Sequence, residues 1–146
     1  EAIEIIENYF AQYPSIRDLM DSNIEFARKN GYVETMMGRR RYLRDINEKN
    51  PTVRAQAERN AINAPIQGSA ADMIKIAMIQ IAKAFKEKNF KSKMLLQVHD
   101  ELVFDVYKPE LEQVKPVIAE HMKNAIPMKV PIEVEMGTGL NWLAAH

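Results

Sequence analysis

With no cysteine anywhere in its 146 residues, the chain can form neither a disulfide nor a thiolate metal site, so any metal it holds must be bound by carboxylate, imidazole or carbonyl groups. Long apolar runs are also missing. None approaches the ~18 residues that a membrane-spanning helix needs, and the N-terminus lacks the basic-then-apolar order of a signal peptide. There are only five glycines, and low-complexity tracts and internal repeats are absent, which excludes a flexible linker or a repeat array. What remains is a composition of 47% hydrophobic and 27% charged residues, that of a globular domain with a real core, and a reducing cytoplasmic setting suits it. The nine methionines read as core filler. The opening Glu1-Ala2-Ile3-Glu4-Ile5-Ile6 has neither an initiating Met nor a cap, so a piece of a longer polypeptide is expected.

Net charge is zero, but it is unevenly placed. Residues 1–38 carry 3 basic and 7 acidic side chains, residues 39–93 carry 13 and 5, and residues 94–146 carry 4 and 8. A basic middle between acidic flanks suits a nucleic-acid-contacting stripe beside a carboxylate site. The cluster Arg39-Arg40-Arg41 with Arg44, Arg54 and Arg59 carries most of that argument, because guanidinium forks match phosphate geometry. Lys86, Lys88, Lys91 and Lys93 read more simply as a solvated helix end.

Periodicity predicts an α+β fold. Ile3, Ile6, Tyr9, Phe10 and Tyr13 form a helical stripe stopped by Pro14, and Ser15 is expected to cap a second helix that ends at Asn30-Gly31. A small hairpin should follow around Met36-Met37-Gly38. Asn50-Pro51 opens a helix that Pro65 should bend or interrupt, and a broad apolar face from Ala70 to Phe85 continues as a helix to about Asn89. Another helix begins at Pro109, kinked or restarted at Pro116, and Val130-Pro131-Ile132-Glu133-Val134-Glu135 alternates like a third strand. The expected architecture is a small antiparallel sheet packed on long helices, with the first ~45 residues as a helical and hairpin extension.

The run Gln97-Val98-His99-Asp100-Glu101-Leu102-Val103-Phe104-Asp105-Val106 carries the chemistry. Two apolar strand-like stretches meet at adjacent carboxylates, which predicts a hairpin with Asp100 and Glu101 at its tip. Neighbouring carboxylates repel unless a cation neutralises them, so a divalent metal site is an economical reading. Asp is also a common turn residue, and spacing alone leaves a plain solvated tip open. No Gly follows Asp100, and the flanking runs are apolar enough to be buried, so a sheltered position is expected.

Val98-His99-Asp100-Glu101-Leu102-Val103 resembles motif C of the family A DNA polymerases, the bacterial polymerase I group. Arg59-Asn60-Ala61-Ile62-Asn63-Ala64-Pro65-Ile66-Gln67-Gly68-Ser69-Ala70-Ala71-Asp72 is similar to that family's long palm helix, and Gly137-Thr138-Gly139-Leu140-Asn141-Trp142 with His146 to its C-terminal end. The resemblance implies residues 1–45 as a remnant of the fingers subdomain and 46–146 as the palm. It implies Asp100 and Glu101 as catalytic, metal-binding acids for Mg²⁺, with Asp100 the principal ligand. It implies His99 near the primer terminus, and Arg59, Asn63 and Gln67 facing primer-template DNA. Gln and Arg suit that task, since every base pair shows minor-groove acceptors that such donors can sense without reading sequence. The reaction implied is nucleotidyl transfer from a dNTP in DNA replication or repair, in a bacterial cytoplasm and nucleoid. The family's second aspartate, from motif A, and its nucleotide-grasping motif B do not occur in this chain, so the chain alone is expected to be inactive and to bind Mg²⁺ weakly. Apolar surface that missing parts would cover favours self-association. A metal-dependent nuclease using Asp100, Glu101 and Asp105, and a non-catalytic DNA-binding module, are the alternatives.

Overall fold

The structure is a computed structural model and describes residues 2–145. In chain order it contains helices α1 (Ala2–Gln12) and α2 (Pro14–Asn30), strands β1 (Tyr32–Glu34) and β2 (Arg40–Tyr42), and helix α3 (Pro51–Glu87). Strands β3 (Lys93–Val98) and β4 (Glu101–Asp105), a 3₁₀ turn (Lys108–Glu110), helix α4 (Leu111–Lys123) and the short α5 (Trp142–Ala145) follow. The α+β class is as expected. Two compact units divide at Ala70/Ala71, inside α3.

In the first unit, Pro14 opens α2 instead of merely stopping α1. Its φ is preset for a first helical position and its missing N–H would have gone unbonded there, so Ser15 falls inside the first turn and does not cap. Gly31 ends α2 at φ 78, donating its N–H to Ala27 O at 2.7 Å. The hairpin pairs Tyr32 with Tyr42 and Glu34 with Arg40. Its inward Val33 packs with Ala27, Leu43 and Ile46 onto Ala57, Ala61 and Ala64, spaced by four and three along α3. Small residues on that stripe let the hairpin approach closely. Burying Val33, Leu43 and Ile46 contributes roughly 1.5–3 kcal/mol each.

Helix α3 runs 37 residues without interruption and carries Pro65 inside it, where a bend or an interruption was expected. The lost N–H removes one helical bond, but packing on both sides of that position holds the backbone: Ala64 is buried on one turn, and on the next the Ser69 hydroxyl donates to Pro65 O at 2.6 Å and accepts from Met36 N–H at 2.9 Å. Pro116 likewise sits within α4.

In the second unit, Ile81 and Phe85 of α3 meet Val114 and Ile118 of α4, with Leu102, Phe104 and Val106 packed against them from one face of the hairpin. Phe85 lies edge-on to Phe90 at 5.5 Å and tilted against Phe104 at 5.8 Å. Among the described residues this sheet has two strands. Val130–Glu135 forms no ladder, correcting the expected third strand: Pro131 has no N–H to give, and alternation specifies a period without supplying a partner. His146 lies outside the described residues. No helix among the described residues is long and apolar enough to cross a membrane.

Candidate functional site

The β3–β4 ladder pairs Lys93 with Asp105, Met94 with Phe104, Leu96 with Val103, Gln97 with Leu102 and Val98 with Glu101, with a bulge at Leu95. Leu102 and Phe104 face the core, which leaves Glu101, Val103 and Asp105 on the other face by alternation. The turn therefore consists of His99 and Asp100, and Glu101 is the first residue of β4 rather than part of the tip. His99 has φ 53. That left-handed conformation is uncommon outside Gly, although Asn, Asp and His enter it more readily than other residues. Gln97 braces it, its side-chain amide donating to His99 O at 2.8 Å. A two-residue turn thus forms without the Gly expected to mark one.

The shelter expected for the carboxylates is only partial. Asp100 and His99 are exposed, and Glu101 is half-buried. Leu95 and Leu96 on the opposing strand are also open to solvent. The two acids supply hard oxygen donors of the kind Mg²⁺ takes, and Asp100 is accessible from outside. Two side chains fall short of an octahedral set, and among the described residues no three His, Cys, Asp or Glu side chains converge. Asp105, the third acid of the nuclease reading, lies at the far end of β4 opposite Lys93.

Arg59, Asn63 and Gln67 fall four apart on the unbroken α3, so they form one exposed stripe about 12 Å long. The Arg59 guanidinium donates to Gln56 Oε1 at 2.8 Å. This stripe belongs to the first unit, and the turn to the second. The arginine cluster is largely engaged within the chain. Arg39 donates to Gly68 O at 3.0 Å, and Arg41 reaches Asn60 Oδ1 at 3.4 Å. Arg40 pairs with Glu34 at 2.7 Å and lies 4.4 Å over the Tyr32 ring. The Glu34 carboxylate, followed by Tyr32, holds the Arg40 pKa above its usual value.

Sequence reading missed what approaches Gly68. A methyl group there would lie 2.6 Å from Thr35 Cγ2, so the glycine admits the chain's own β1–β2 loop. It also set aside Lys91 and Lys93, which with Lys108 line a cleft of about 640 Å³ beyond the open end of the β3–β4 hairpin.

A family model described as DNA polymerase family A matches residues 1–144. The chain is 50% identical over 145 residues to a DNA polymerase I of Mycobacterium bovis, and equally so to one of Lactococcus lactis. It is 48% identical over 142 residues to a DNA polymerase I of Caldicellulosiruptor bescii. These alignments take in 97–99% of the chain and 16–17% of the relatives' lengths. A solved structure, the POL domain of Pol1 from M. smegmatis in complex with DNA primer-template and dNTP, superposes with a TM-score of 0.93 at 48% identity. That superposition covers 96% of this chain and 25% of the other. The chain belongs to DNA polymerase family A.

Proposed function

We propose that the polypeptide carrying this chain performs template-directed DNA synthesis, transferring a nucleotide from a dNTP to a primer 3′-hydroxyl. The observation that carries the reading is the β3–β4 turn. It presents Asp100 to the outside, with Glu101 half-buried beside it and His99 fixed in a left-handed conformation, in a chain of this family. Asp100 would hold Mg²⁺ through its carboxylate, with Glu101 adjusting the local charge and His99 facing the primer end. Bound there, Mg²⁺ supplies charge neutralisation at the reacting phosphate and lowers the pKa of the attacking hydroxyl. The stripe of Arg59, Asn63 and Gln67 spans about 12 Å, or three to four base steps at ~3.4 Å each, which suits minor-groove contacts that sense pair geometry. Residues 1–45 then belong to the fingers and 46–146 to the palm, in a cytoplasmic enzyme acting on primer-template DNA.

Asp100→Ala in the full-length polypeptide tests this. The expected result is a loss of primer extension by about three orders of magnitude or more, since several kcal/mol of transition-state stabilisation are removed, with primer-template affinity kept. Unchanged extension would refute the reading. The isolated chain, with two carboxylates at the turn, should bind Mg²⁺ no more tightly than millimolar and should not extend primers. The exposed Ile3, Ile6 and Tyr9 of α1 favour its self-association.

A further inference from the structure

The end of the hairpin opposite Asp100 has its own chemistry. Asp105 lies five residue steps from Asp100, about 17 Å at ~3.3 Å per step, so this end is remote from the turn. The cleft of about 640 Å³ there is lined by Lys91, Lys93, Asp105, Val106, Tyr107, Lys108 and Pro109. Three ammonium groups against one carboxylate leave it cationic, and Asp105 is already opposite Lys93 in the ladder. The lysines are exposed, and the backbone at Lys91 and Ser92 is held from behind. Glu110 accepts the N–H groups of Lys91 (2.9 Å) and Ser92 (3.0 Å) and the Ser92 hydroxyl (2.7 Å). The buried Ser92 hydroxyl in turn accepts the Tyr107 N–H at 3.1 Å. The Glu110 carboxylate is thus turned into the frame, which leaves Asp105 as the acid on the cleft lining. On the open side, Lys91 lies 5.0 Å over the half-exposed Tyr107 ring.

We infer that this cleft is a second nucleic-acid site, in which Lys91, Lys93 and Lys108 bind the phosphodiester backbone of a single strand and Tyr107 offers a surface on which a base stacks. Cations tracking a backbone beside an aromatic platform are the recurring chemistry of sequence-blind single-strand binding. Flexible ammonium groups, rather than arginine forks, suit a mobile strand whose phosphates take no fixed orientation. The choice of nucleic acid among polyanions rests on the polymerase reading; the cationic character of the cleft does not.

The test uses the full-length polypeptide and a fluorescent dT oligonucleotide, with unlabelled primer-template in excess to occupy the synthetic groove. Lys91→Ala/Lys93→Ala/Lys108→Ala should weaken oligonucleotide binding about tenfold or more and reduce the salt slope by about 2, from three single-strand contacts at ~0.7 each. Primer extension on a short primed template should be unchanged, and the triple Lys→Arg variant should bind like the wild type. Tyr107→Ala should lose roughly fivefold or more. Unaltered affinity and slope in the triple alanine variant overturn the inference. So does displacement of the oligonucleotide by inorganic tripolyphosphate at equal phosphate concentration, which would mark a site for free phosphate. Lysine-dependent binding to anionic phospholipid vesicles with oligonucleotide binding untouched would overturn it as well. Because the readout is binding, failure here leaves the Asp100 test standing, and failure of that test leaves this one.

Discussion

Val98 stands directly opposite Glu101 across the β3–β4 ladder, so His99 and Asp100 reverse the chain by themselves. A two-residue reversal needs positive φ in the turn, and His99 supplies it at φ 53. A left-handed L-residue costs about 1–2 kcal/mol, most for β-branched side chains. His99→Val should therefore lower stability by about 1–2 kcal/mol, while His99→Gly, which trades that strain against greater freedom when unfolded, should change it by less than about 1 kcal/mol. Chemical denaturation of both variants decides it, and equal effects would contradict the strained turn.

Gly68 and Thr35 should be coupled. A Cβ at position 68 would meet Thr35 Cγ2 at 2.6 Å, a contact that must be relieved by shifting the β1–β2 loop. Gly68→Ala should cost about 1–3 kcal/mol, as overpacking usually does. Thr35→Ser deletes only that methyl and keeps the hydroxyl that accepts the Met37 and Arg39 N–H groups at 3.3 and 3.2 Å, so the double variant should recover most of the loss. Additive losses in a double-mutant cycle would show that the loop does not press on the helix.

These two sites mark where sequence reading ended. The Asn30-Gly31 stop and the Asn50-Pro51 start were legible because their cause is local: a left-handed cap and a preset φ act within one turn. The apolar stripes of both cores were legible from periodicity for the same reason. Pro65 does not interrupt the helix, because tertiary packing, from the buried Ala64 and the Ser69 bridge to Met36, overrides a local break. Val130–Glu135 misled because a strand is defined by a partner, which period cannot reveal. The acids at 100 and 101 were visible as chemistry, but their division into an exposed turn residue and a half-buried strand residue depends on a register that His99, not Gly, makes possible.

Glu110 gives a pH signature. Burial raises its carboxyl pKa, but the hydrogen bonds from Lys91 and Ser92, with the Lys91 charge, outweigh burial and hold it below the usual carboxylate value. A lowered folded pKa means that its contribution to stability is complete above the unfolded value of about 4.3 and disappears as pH falls through the lower folded value. Glu110→Gln should thus melt lower than the parent at pH 7, and the gap should close on acidification below about pH 4. A gap that stays constant from pH 7 to pH 3 would argue against a charge-dependent bracket.

Asp100 and Glu101 should differ in kind when each is neutralised without changing shape. Asp100→Asn keeps the turn while removing the exposed charge, and in the full-length polypeptide it should reduce extension by about three orders of magnitude, since no other residue of the turn is placed to replace it. Glu101 is half-buried in the first position of β4, its backbone fixed opposite Val98, so under the proposed function its carboxylate should act on the site mainly through its field. A charge at one remove, partly screened by solvent, contributes on the order of 1–2 kcal/mol, and Glu101→Gln should lose about tenfold. Raising Mg²⁺ should restore much of the Glu101→Gln loss, because weaker attraction for the cation is met by mass action, and should do little for Asp100→Asn, where a ligand is gone. Steady-state extension across a Mg²⁺ titration separates the two. Equal losses with equal rescue would mean that the two acids share one role, and the register that sets one in the turn and the other in the strand would then carry no functional distinction.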